Sequence, residues 1–431
     1  MIRILRSHEA AREEILSRGE ARVPESVERD VREILAAVRA EGDAAVMAFN
    51  AKFGAPQQTA LLATREEIEA GYAAVDEGLR GVLARAKENI ETFHRRQKRE
   101  GFIASEREGI VLGQRILPIA RAGLYVPGGT ASYPSTVLMN AIPAKIAGVP
   151  TIVMATPPGP DGKIAPAILA AAKIAGVTTI VKAGGAQAIA ALAYGTQSVP
   201  RVDKIVGPGN IYVATAKRQV YGQVDIDMIA GPSEILVVAD AEANPAHVAA
   251  DLLSQAEHDR LSSAVLVCDS MALAEAVAAE IERQLALLPR EEIARASIEK
   301  NGKIIVADDL REGVAIANEL APEHLELCVR DPFALLGAVK NAGSIFLGRY
   351  APEALGDYFA GPNHVLPTSG TARFFSPLTV QDFLKRTSIV YYSREKLASS
   401  YEDIARFARA EKLEAHARSA EIRFLDGEKE G

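Results

Sequence analysis

The stretch Glu234-Ile-Leu-Val-Val-Ala239 is a near-continuous apolar run that follows the turn-forming pair Gly231-Pro232. A strand with one face in water alternates apolar and polar residues, whereas a strand covered by helices on both faces is apolar almost throughout. The run therefore predicts a buried strand in a parallel α/β sheet.

The same texture continues on both sides of this run, from about Gly109 onward. Gly-Pro punctuation such as Gly207-Pro208-Gly209 marks loops beside strand ends, where α/β folds place ligand sites. Six more short runs rich in Ile, Val and Leu alternate with Ala-rich helical stretches: Thr151–Ala155, Thr178–Ala183, Lys204–Val206, Ala264–Cys268, Lys303–Ala307 and Ser344–Leu347. Together they predict an α/β fold.

The two ends of the chain have a helical pattern instead. From Ile68 to Phe93 the apolar residues recur in steps of three and four, which predicts one amphipathic helix. Thr64 and Glu67 have the spacing of a capping box at its start. The tail from about Thr379 is charged and is also predicted to be helical.

Length and composition limit the class of protein. A chain of 431 residues exceeds one ordinary core, so two or more domains are expected. A net charge of −7, from 49 basic and 56 acidic residues, argues against a nucleic-acid partner. The first residues turn charged before a signal-peptide core could form, and no apolar stretch is long enough for a membrane span. Two cysteines, Cys268 and Cys328, suit a reducing compartment, so the cytoplasm is expected.

Polar residues able to bind a metal are widely spaced along the chain. Gln255 and His258 are three apart at a predicted helix end and would share a face. Asp357 lies in the Gly- and Pro-rich segment Gly356–Gly370, which predicts an ordered loop. Glu411 and His416 lie in the tail, where either only one points into a site or the helix breaks near Leu413. His8 and His94 lie among charges and are expected to be exposed.

The set Gln255, His258, Asp357 and His416 offers nitrogen and oxygen donors without a thiolate. A single zinc with positions open to substrate, or another borderline divalent metal, suits such donors.

Glu323 and His324 follow Pro322 and are predicted to open a helix. A carboxylate beside an imidazole provides two proton-transfer groups in one place. The pattern fits equally well a capped helix start with an acidic residue at the positive end of the helix dipole.

No Gly-x-Gly-x-x-Gly fingerprint for a dinucleotide follows any predicted strand. Three glycine-containing loops could bring backbone close to a phosphate, or could be tight turns: Val126–Thr130, Gly184–Gln187 and Gly207–Asn210.

Several longer phrases, taken in order from about residue 30 to the C-terminus, resemble the histidinol dehydrogenase family. They are Gly123–Gly129, Gly184–Gly195, Asp203–Asn210, Ala230–Glu234, Asp251–His258, Ala321–Glu326 and Gly361–Gly370.

The resemblance implies roles for individual residues. The zinc ligands would be Gln255, His258, Asp357 and His416, and the acid/base pair would be Glu323 and His324. The substrate would be bound by those four ligands and His324 together with Ser233, His364 and Glu411. The nicotinamide cofactor would contact Tyr125, Gln187 and Asn210.

The resemblance also implies an architecture: an α/β protein with two incomplete Rossmann-like domains built on parallel sheets, with small helical N- and C-terminal segments. The expected division is a helical arm over 1–20, a discontinuous first domain over 21–124 and 233–378, a nucleotide-side domain over 125–232, and a helical tail over 379–431. The family forms an intertwined homodimer, so site residues could be shared between subunits.

The reaction implied is the oxidation of L-histidinol through L-histidinal to L-histidine with two NAD and a water, the last step of histidine biosynthesis. Zinc would position the substrate, His324 would act as general base, and Glu323 would activate water. Covalent catalysis by Cys328 is an alternative, as are a zinc hydrolase using Glu323 and a non-catalytic ligand-binding relative.

Overall fold

The structure, a computed structural model, describes residues 2–18, 23–128 and 132–425. Contacts between residues divide the chain into two compact units. The first unit comprises Met1–Lys98 and Ile119–Phe383, and the second comprises Arg99–Pro118 and Leu384–Gly431.

The helices and strands follow in chain order. Before residue 128 they are β1 (Arg3–Arg6), α1 (Arg12–Leu16), α2 (Glu25–Glu41), α3 (Asp43–Lys52), α4 (Arg65–Ala74), α5 (Glu77–Arg95), β2 (Phe102–Arg107), β3 (Ile110–Pro118) and β4 (Arg121–Tyr125). Up to residue 239 they are α6 (Pro134–Ala147), β5 (Thr151–Thr156), α7 (Pro166–Ala175), β6 (Thr179–Lys182), α8 (Gly185–Tyr194), β7 (Lys204–Val206), α9 (Ile211–Val220), β8 (Asp225–Ile226) and β9 (Glu234–Ala239).

From residue 245 they are α10 (Pro245–Ala256), β10 (Ser263–Cys268), α11 (Met271–Leu285), α12 (Glu291–Asn301), β11 (Lys303–Val306), α13 (Leu310–Leu320), β12 (His324–Cys328), α14 (Pro332–Leu336), β13 (Ser344–Leu347), α15 (Glu353–Tyr358), β14 (Leu384–Tyr392), α16 (Arg394–Ala398), α17 (Tyr401–Ala410) and α18 (Glu414–Leu425). Two short 3₁₀ turns, Thr371–Arg373 and Val380–Phe383, precede β14.

Two parallel sheets form the cores of the first unit. One has six strands in the order β1-β11-β10-β9-β12-β13, and the other has five in the order β6-β5-β4-β7-β8. Every pairing in both sheets is parallel. All six residues of β9 and of β10 are buried, as expected for strands covered on both faces. The predicted α/β fold with parallel-sheet cores is confirmed.

All seven runs predicted as strands form strands. Lys204–Val206, Glu234–Ala239 and Ser344–Leu347 have the predicted bounds, and the others differ by a residue or two. Both chain ends contain helices as predicted, but each also supplies a strand. β1 joins the edge of the six-stranded sheet, and β14 pairs with β3 in an antiparallel sheet that also holds β2.

The single helix expected from Ile68 to Phe93 is two helices. Val75 takes an extended conformation (φ −85°, ψ 137°), and the Asp76 side chain accepts a hydrogen bond from the Leu79 backbone N–H to start α5. The apolar period continues through the break, so it could not reveal the interruption. At the start of α4, the Thr64–Glu67 capping box is present as predicted.

A buried lysine holds the N-terminal segment against the six-stranded sheet. Lys303, the first residue of β11, is 1% exposed, and its Nζ donates to the carbonyls of Glu14, Ile15 and Ser17 at 3.1, 3.0 and 2.5 Å. These carbonyls lie at the C-terminal end of α1, where carbonyls have no partner within the helix. The lysine thus satisfies the end of a helix that is only five residues long.

Within the described ranges, no helix is both long and apolar enough to cross a membrane.

Candidate active site

Glu323 and His324 lie at the start of a strand, so the helix predicted there is wrong. α13 ends at Leu320, Ala321 takes a left-handed conformation (φ 45°), and the chain enters β12 at His324. β12 pairs with β9 on one side and β13 on the other. Both side chains are buried, which a helix start on the surface would not have given.

The backbone of one residue holds both side chains. The Glu234 N–H donates to Glu323 Oε2 at 2.9 Å, and the Glu234 carbonyl lies 2.9 Å from His324 Nδ1. A carbonyl only accepts, so Nδ1 carries a hydrogen. The other ring nitrogen, Nε2, therefore remains for chemistry.

His324 Nε2 faces two carboxylates. It lies 3.6 Å from Asp357 Oδ1 and 3.7 Å from Glu353 Oε1, and the three groups are close enough together to hold a metal ion. Asp357 belongs to the last turn of α15 rather than to the loop that its sequence predicted. The remainder of that segment, after Phe359, is irregular as expected.

Burial and crowded charge shift the acidities of the cluster. Burial raises the pKa of Glu323 to about 8, against the opposing effects of His324 and the Glu234 N–H. Burial alone would lower the pKa of His324, but Glu323, Asp357 and Glu353 together raise it to about 10. Burial would likewise raise the pKa of Asp357, but the nearby imidazoles of His324 and His364 hold it below its usual range. Such concentrated negative charge fits a divalent cation.

Gln255 lies in the last turn of α10, and His258 follows two residues after the end of that helix. Burial lowers the pKa of His258, and the charge of Asp357 opposes that shift, so the two residues are close. Both polar atoms of the Gln255 side chain, His324 Nε2 and Glu353 Oε1 are buried without a hydrogen-bond partner among the described residues. Buried polar atoms without partners are costly, and several of them in one place fit a metal or substrate atom.

His364 joins the cluster from the loop after α15. Its Nδ1 lies 3.0 Å from the Asp357 carbonyl and 3.8 Å from Asp357 Oδ1, while Nε2 lies 3.3 Å from the Thr136 hydroxyl on α6. His364 thus connects the cluster of His324, Glu353 and Asp357 to a helix that follows β4 of the other sheet. Ser233 immediately precedes Glu234, whose backbone binds Glu323 and His324.

A large cavity of about 1360 Å³ opens at the carboxyl ends of the strands of the five-stranded sheet. Tyr125, Gln187 and Asn210 all line it, as do Asn50 and the glycines Gly184 and Gly185. The Tyr125 hydroxyl accepts from the Gly185 N–H at 3.0 Å, which leaves its own hydrogen to donate. The Asn210 side chain caps α9. In the loop Val126–Thr130, Gly129 and Thr130 lie outside the described residues.

Known proteins that are similar to this chain identify its family. A family model described as histidinol dehydrogenase matches residues 17–424. The chain belongs to the histidinol dehydrogenase family.

Relatives and solved structures cover nearly the whole chain. It is 57% identical over 399 residues to histidinol dehydrogenase of Bacillus subtilis, covering 93% of each protein. It is 56% identical over 414 residues to that of Syntrophotalea carbinolica, covering 96% of each. The crystal structure of histidinol dehydrogenase from Elizabethkingia anophelis matches with a TM-score of 0.92 at 37% identity, covering 98% of both chains.

The predicted family is therefore confirmed. Membership in the histidinol dehydrogenase family makes the chain an NAD-dependent oxidoreductase of histidine biosynthesis. The chain thus belongs to a family of NAD-dependent enzymes without having the Gly-x-Gly-x-x-Gly fingerprint.

Two residues predicted for the site of this histidinol dehydrogenase family member lie in the second unit. α17 ends at Ala410 and α18 begins at Glu414, with Lys412 in a left-handed conformation (φ 61°). The helix therefore breaks near Leu413, one of the two alternatives that the sequence allowed. Glu411 and His416 are both exposed.

Sequence reasoning missed Glu353 of the cluster and two further carboxylates, the buried Glu326 and the half-buried Asp251. Glu326 Oε1 accepts from the Glu353 N–H at 2.7 Å, which fixes the start of α15. Burial and the charge of Asp251 raise the pKa of Glu326 well above its ordinary value, and burial raises that of Glu353 to about 7. A signal existed for Glu326, because a carboxylate inside an apolar strand needs a reason to be there. For Glu353 and Asp251 the sequence offered none.

Proposed function

We propose that this chain oxidises L-histidinol to L-histidine through L-histidinal, with two NAD and a water. The observation that carries the proposal is that the backbone N–H and carbonyl of Glu234 hydrogen-bond to the side chains of Glu323 and His324, respectively. It places a carboxylate and an imidazole side by side in a dry site, each in a fixed orientation. Such a pair can serve two different proton transfers in turn.

In the first oxidation the neutral form of His324 takes the alcohol proton at Nε2 as hydride leaves for the nicotinamide. A cation held by Asp357 would favour this neutral form, because it would offset the carboxylate charge that raises the pKa of the imidazole. Nε2 is the nitrogen that remains available, because Nδ1 is committed to the Glu234 carbonyl. Glu353 and Asp357 lie within 3.7 Å of Nε2 and stabilise the imidazolium that forms.

In the second oxidation Glu323 takes a proton from water as it adds to the aldehyde. The raised pKa of about 8 makes this carboxylate a stronger base than a free one. His324 then accepts the proton of the resulting diol as the second hydride leaves. General-base assistance of this kind contributes about 10²–10⁴-fold to each step.

The residues that would hold zinc are Gln255, His258 and Asp357, completed by His416. The unpartnered atoms of Gln255 and the carboxylate-rich surroundings support this set. A bound zinc would orient the imidazole and amine of the substrate. The cavity lined by Tyr125, Gln187 and Asn210 would take NAD.

His416 and Glu411 would come from a second copy of the chain in a homodimer. The second unit has large apolar side chains that are mostly exposed in the single chain. The exposed fractions are 72% for Ile103, 71% for Val390 and 70% for Phe407. Exposed apolar side chains of this size support an interface with another copy of the chain. The two cysteines are free and buried, which fits a cytoplasmic enzyme.

The test is the amount of NADH formed per L-histidinol, with metal content assayed on the same sample. We expect two NADH per substrate, lost on chelation and restored by zinc. A folded, zinc-loaded protein that forms no NADH would overturn the proposed reaction. Glu323→Gln should slow the aldehyde step more than the alcohol step, whereas His324→Asn should slow both.

A further inference from the structure

Three side-chain amides form a series beside the cofactor cavity. Gln58 Nε2 donates to the carbonyls of Ala60 and Lys182 at 3.0 and 2.8 Å. Asn50 Nδ2 donates to Gln58 Oε1 at 3.0 Å and to the Lys182 carbonyl at 2.8 Å. Gln187 Nε2 donates to Asn50 Oδ1 at 3.1 Å.

The direction of this series is fixed by the backbone. A main-chain carbonyl only accepts, so the Lys182 carbonyl requires the nitrogen of Asn50 and leaves its oxygen for Gln187. Turning the Asn50 amide over would set its oxygen against that carbonyl and its nitrogen against Gln187 Nε2. Asn50 and Gln187 are each 3% exposed, so water cannot compensate such a mismatch.

The free end of the series is Gln187 Oε1. No donor among the described residues reaches this oxygen, and Gln187 lines the cavity. Gly185, in a left-handed conformation (φ 61°), makes room for it, since a Cβ there would lie 2.9 Å from Oε1. An alanine at this position would be strained by its backbone and crowded by the amide.

We propose that Asn50 is a positioning residue that sets the polarity of the cofactor cavity. Because Asn50 binds the Gln187 nitrogen, Gln187 presents its Oε1 to the cavity, and this oxygen only accepts hydrogen bonds. The bound dinucleotide must therefore donate to Oε1 from an N–H or O–H group. This inference rests on the proposed function, because it assumes that the cavity takes NAD. It names a residue of α3, far in sequence from every glycine loop, as a determinant of cofactor recognition.

The donor could be the carboxamide N–H of nicotinamide or a ribose hydroxyl. Two kinds of analogue distinguish these sources. The 3-acetylpyridine dinucleotide replaces the carboxamide NH₂ by a methyl group, and deoxy dinucleotides each lack one ribose hydroxyl. The analogue that lacks the relevant donor should bind the full-length zinc enzyme about fivefold more weakly than NAD, the loss expected for one hydrogen bond.

The experiment is calorimetric titration of these dinucleotides into wild type and Asn50→Ala. In the variant the Gln187 amide can turn over. The dissociation constant of the analogue that lacks the relevant donor, divided by that of NAD, should therefore fall toward one. A role in folding alone would not change that ratio. Gln187→Met should abolish the discrimination as well, and combining it with Asn50→Ala should cause no further change in the ratio.

Asn301→Ala is the matched control. Asn301 is also a buried asparagine whose Nδ2 donates to main-chain carbonyls, those of Arg260 and Ser262 at 3.2 Å each, but it does not line the cavity. It should lower the melting temperature and leave the ratio at the wild-type value. An unchanged ratio in Asn50→Ala, or equal wild-type affinity for NAD and every analogue, overturns the inference. Failure of the wild type to bind NAD at all overturns the proposed function instead.

Discussion

Glu323 is a carboxyl group that burial keeps protonated well above the usual pH. Because its pKa is raised to about 8, the base form grows as pH rises through that value. We therefore expect the rate of L-histidinal oxidation to rise with pH on a limb centred near 8. In Glu323→Gln the limb should vanish and the rate should fall by about 10²–10⁴-fold.

Steady-state kinetics on L-histidinal between pH 6 and 10 would check this expectation. His364→Asn serves for comparison, since it changes a neighbouring titratable group and should leave the Glu323 limb in place. A limb near 4.5, or one that survives Glu323→Gln, would show that another group is the base.

Cys328 offers a second test at the scale of one residue, because aldehyde oxidation can proceed through a thiohemiacetal. Its side chain is buried in the core, and burial raises the pKa of the thiol to about 12, so almost no thiolate is present at neutral pH. Cys328→Ala should keep both oxidation steps within about twofold of wild type, allowing for a small packing defect. Selective loss of the aldehyde step, measured as one NADH per histidinol, would revive the covalent route.

Residue types and spacing predicted part of the site and failed where burial decided the outcome. Gln255 and His258 are only three residues apart, so the sequence alone places them near each other at the end of α10. His94, expected to be exposed among its charged neighbours, is fully buried, with Nδ1 2.9 Å from the Ile90 carbonyl. Glu353 escaped notice because its role depends on contacts with distant parts of the chain.

Among the structural elements, α1 depends on the buried Lys303, whose Nζ donates to three main-chain carbonyls at the end of that helix. Burial lowers the pKa of Lys303 from 10.5 to about 8. Between these values the unfolded chain binds more protons than the folded one, so stability rises with pH across this window. Below pH 8 the cost of the buried charge is fully present. Relative to Lys303→Met, wild type should gain up to about 3 kcal/mol between pH 7.5 and 10.5.

Urea unfolding of both proteins at the two pH values would measure this difference, and groups that titrate equally in both cancel. The methionine variant also leaves the carbonyls of Glu14, Ile15 and Ser17 without their partner, so its baseline stability should be lower. A difference in unfolding free energy that does not change with pH would contradict the prediction.

Helices and strands were predictable from the sequence where both faces of the element are buried in the same apolar surroundings. The buried parallel strands give continuous apolar runs, and all seven predicted strands exist. β2 and β14 are largely exposed, and their mixed composition resembles that of charged helices. The Arg-Ala-Gly-Leu-Tyr sequence of β4 contains a glycine and no β-branched residue, so propensity alone gave no reason to expect a strand.

For the whole molecule, the proposal that His416 comes from a second copy of the chain makes a prediction about assembly. If His416 completes the site of a partner, His416→Ala and His324→Asn variants should each be inactive alone. Unfolded and refolded together in equal amounts, they should recover about a quarter of wild-type activity, because half of the dimers then contain one intact site of two.

Refolding each variant alone is the control for the procedure. Molar mass by light scattering would establish that the active species is a dimer. No recovery in a mixture that forms dimers would mean that each chain completes its own site.

The two parallel sheets of the first unit carry their candidate sites at opposite ends of their strands. Glu323 and His324 lie at the amino ends of β9 and β12, whereas the cavity opens at the carboxyl ends of β4, β5 and β6. The lining of the cavity includes none of the proposed zinc ligands. In the proposed reaction, spent NADH would leave this cavity and fresh NAD would enter it while the half-oxidised substrate stayed bound beside Glu323 and His324. Such separate access would keep the reactive aldehyde from amines elsewhere in the cell between the two oxidations.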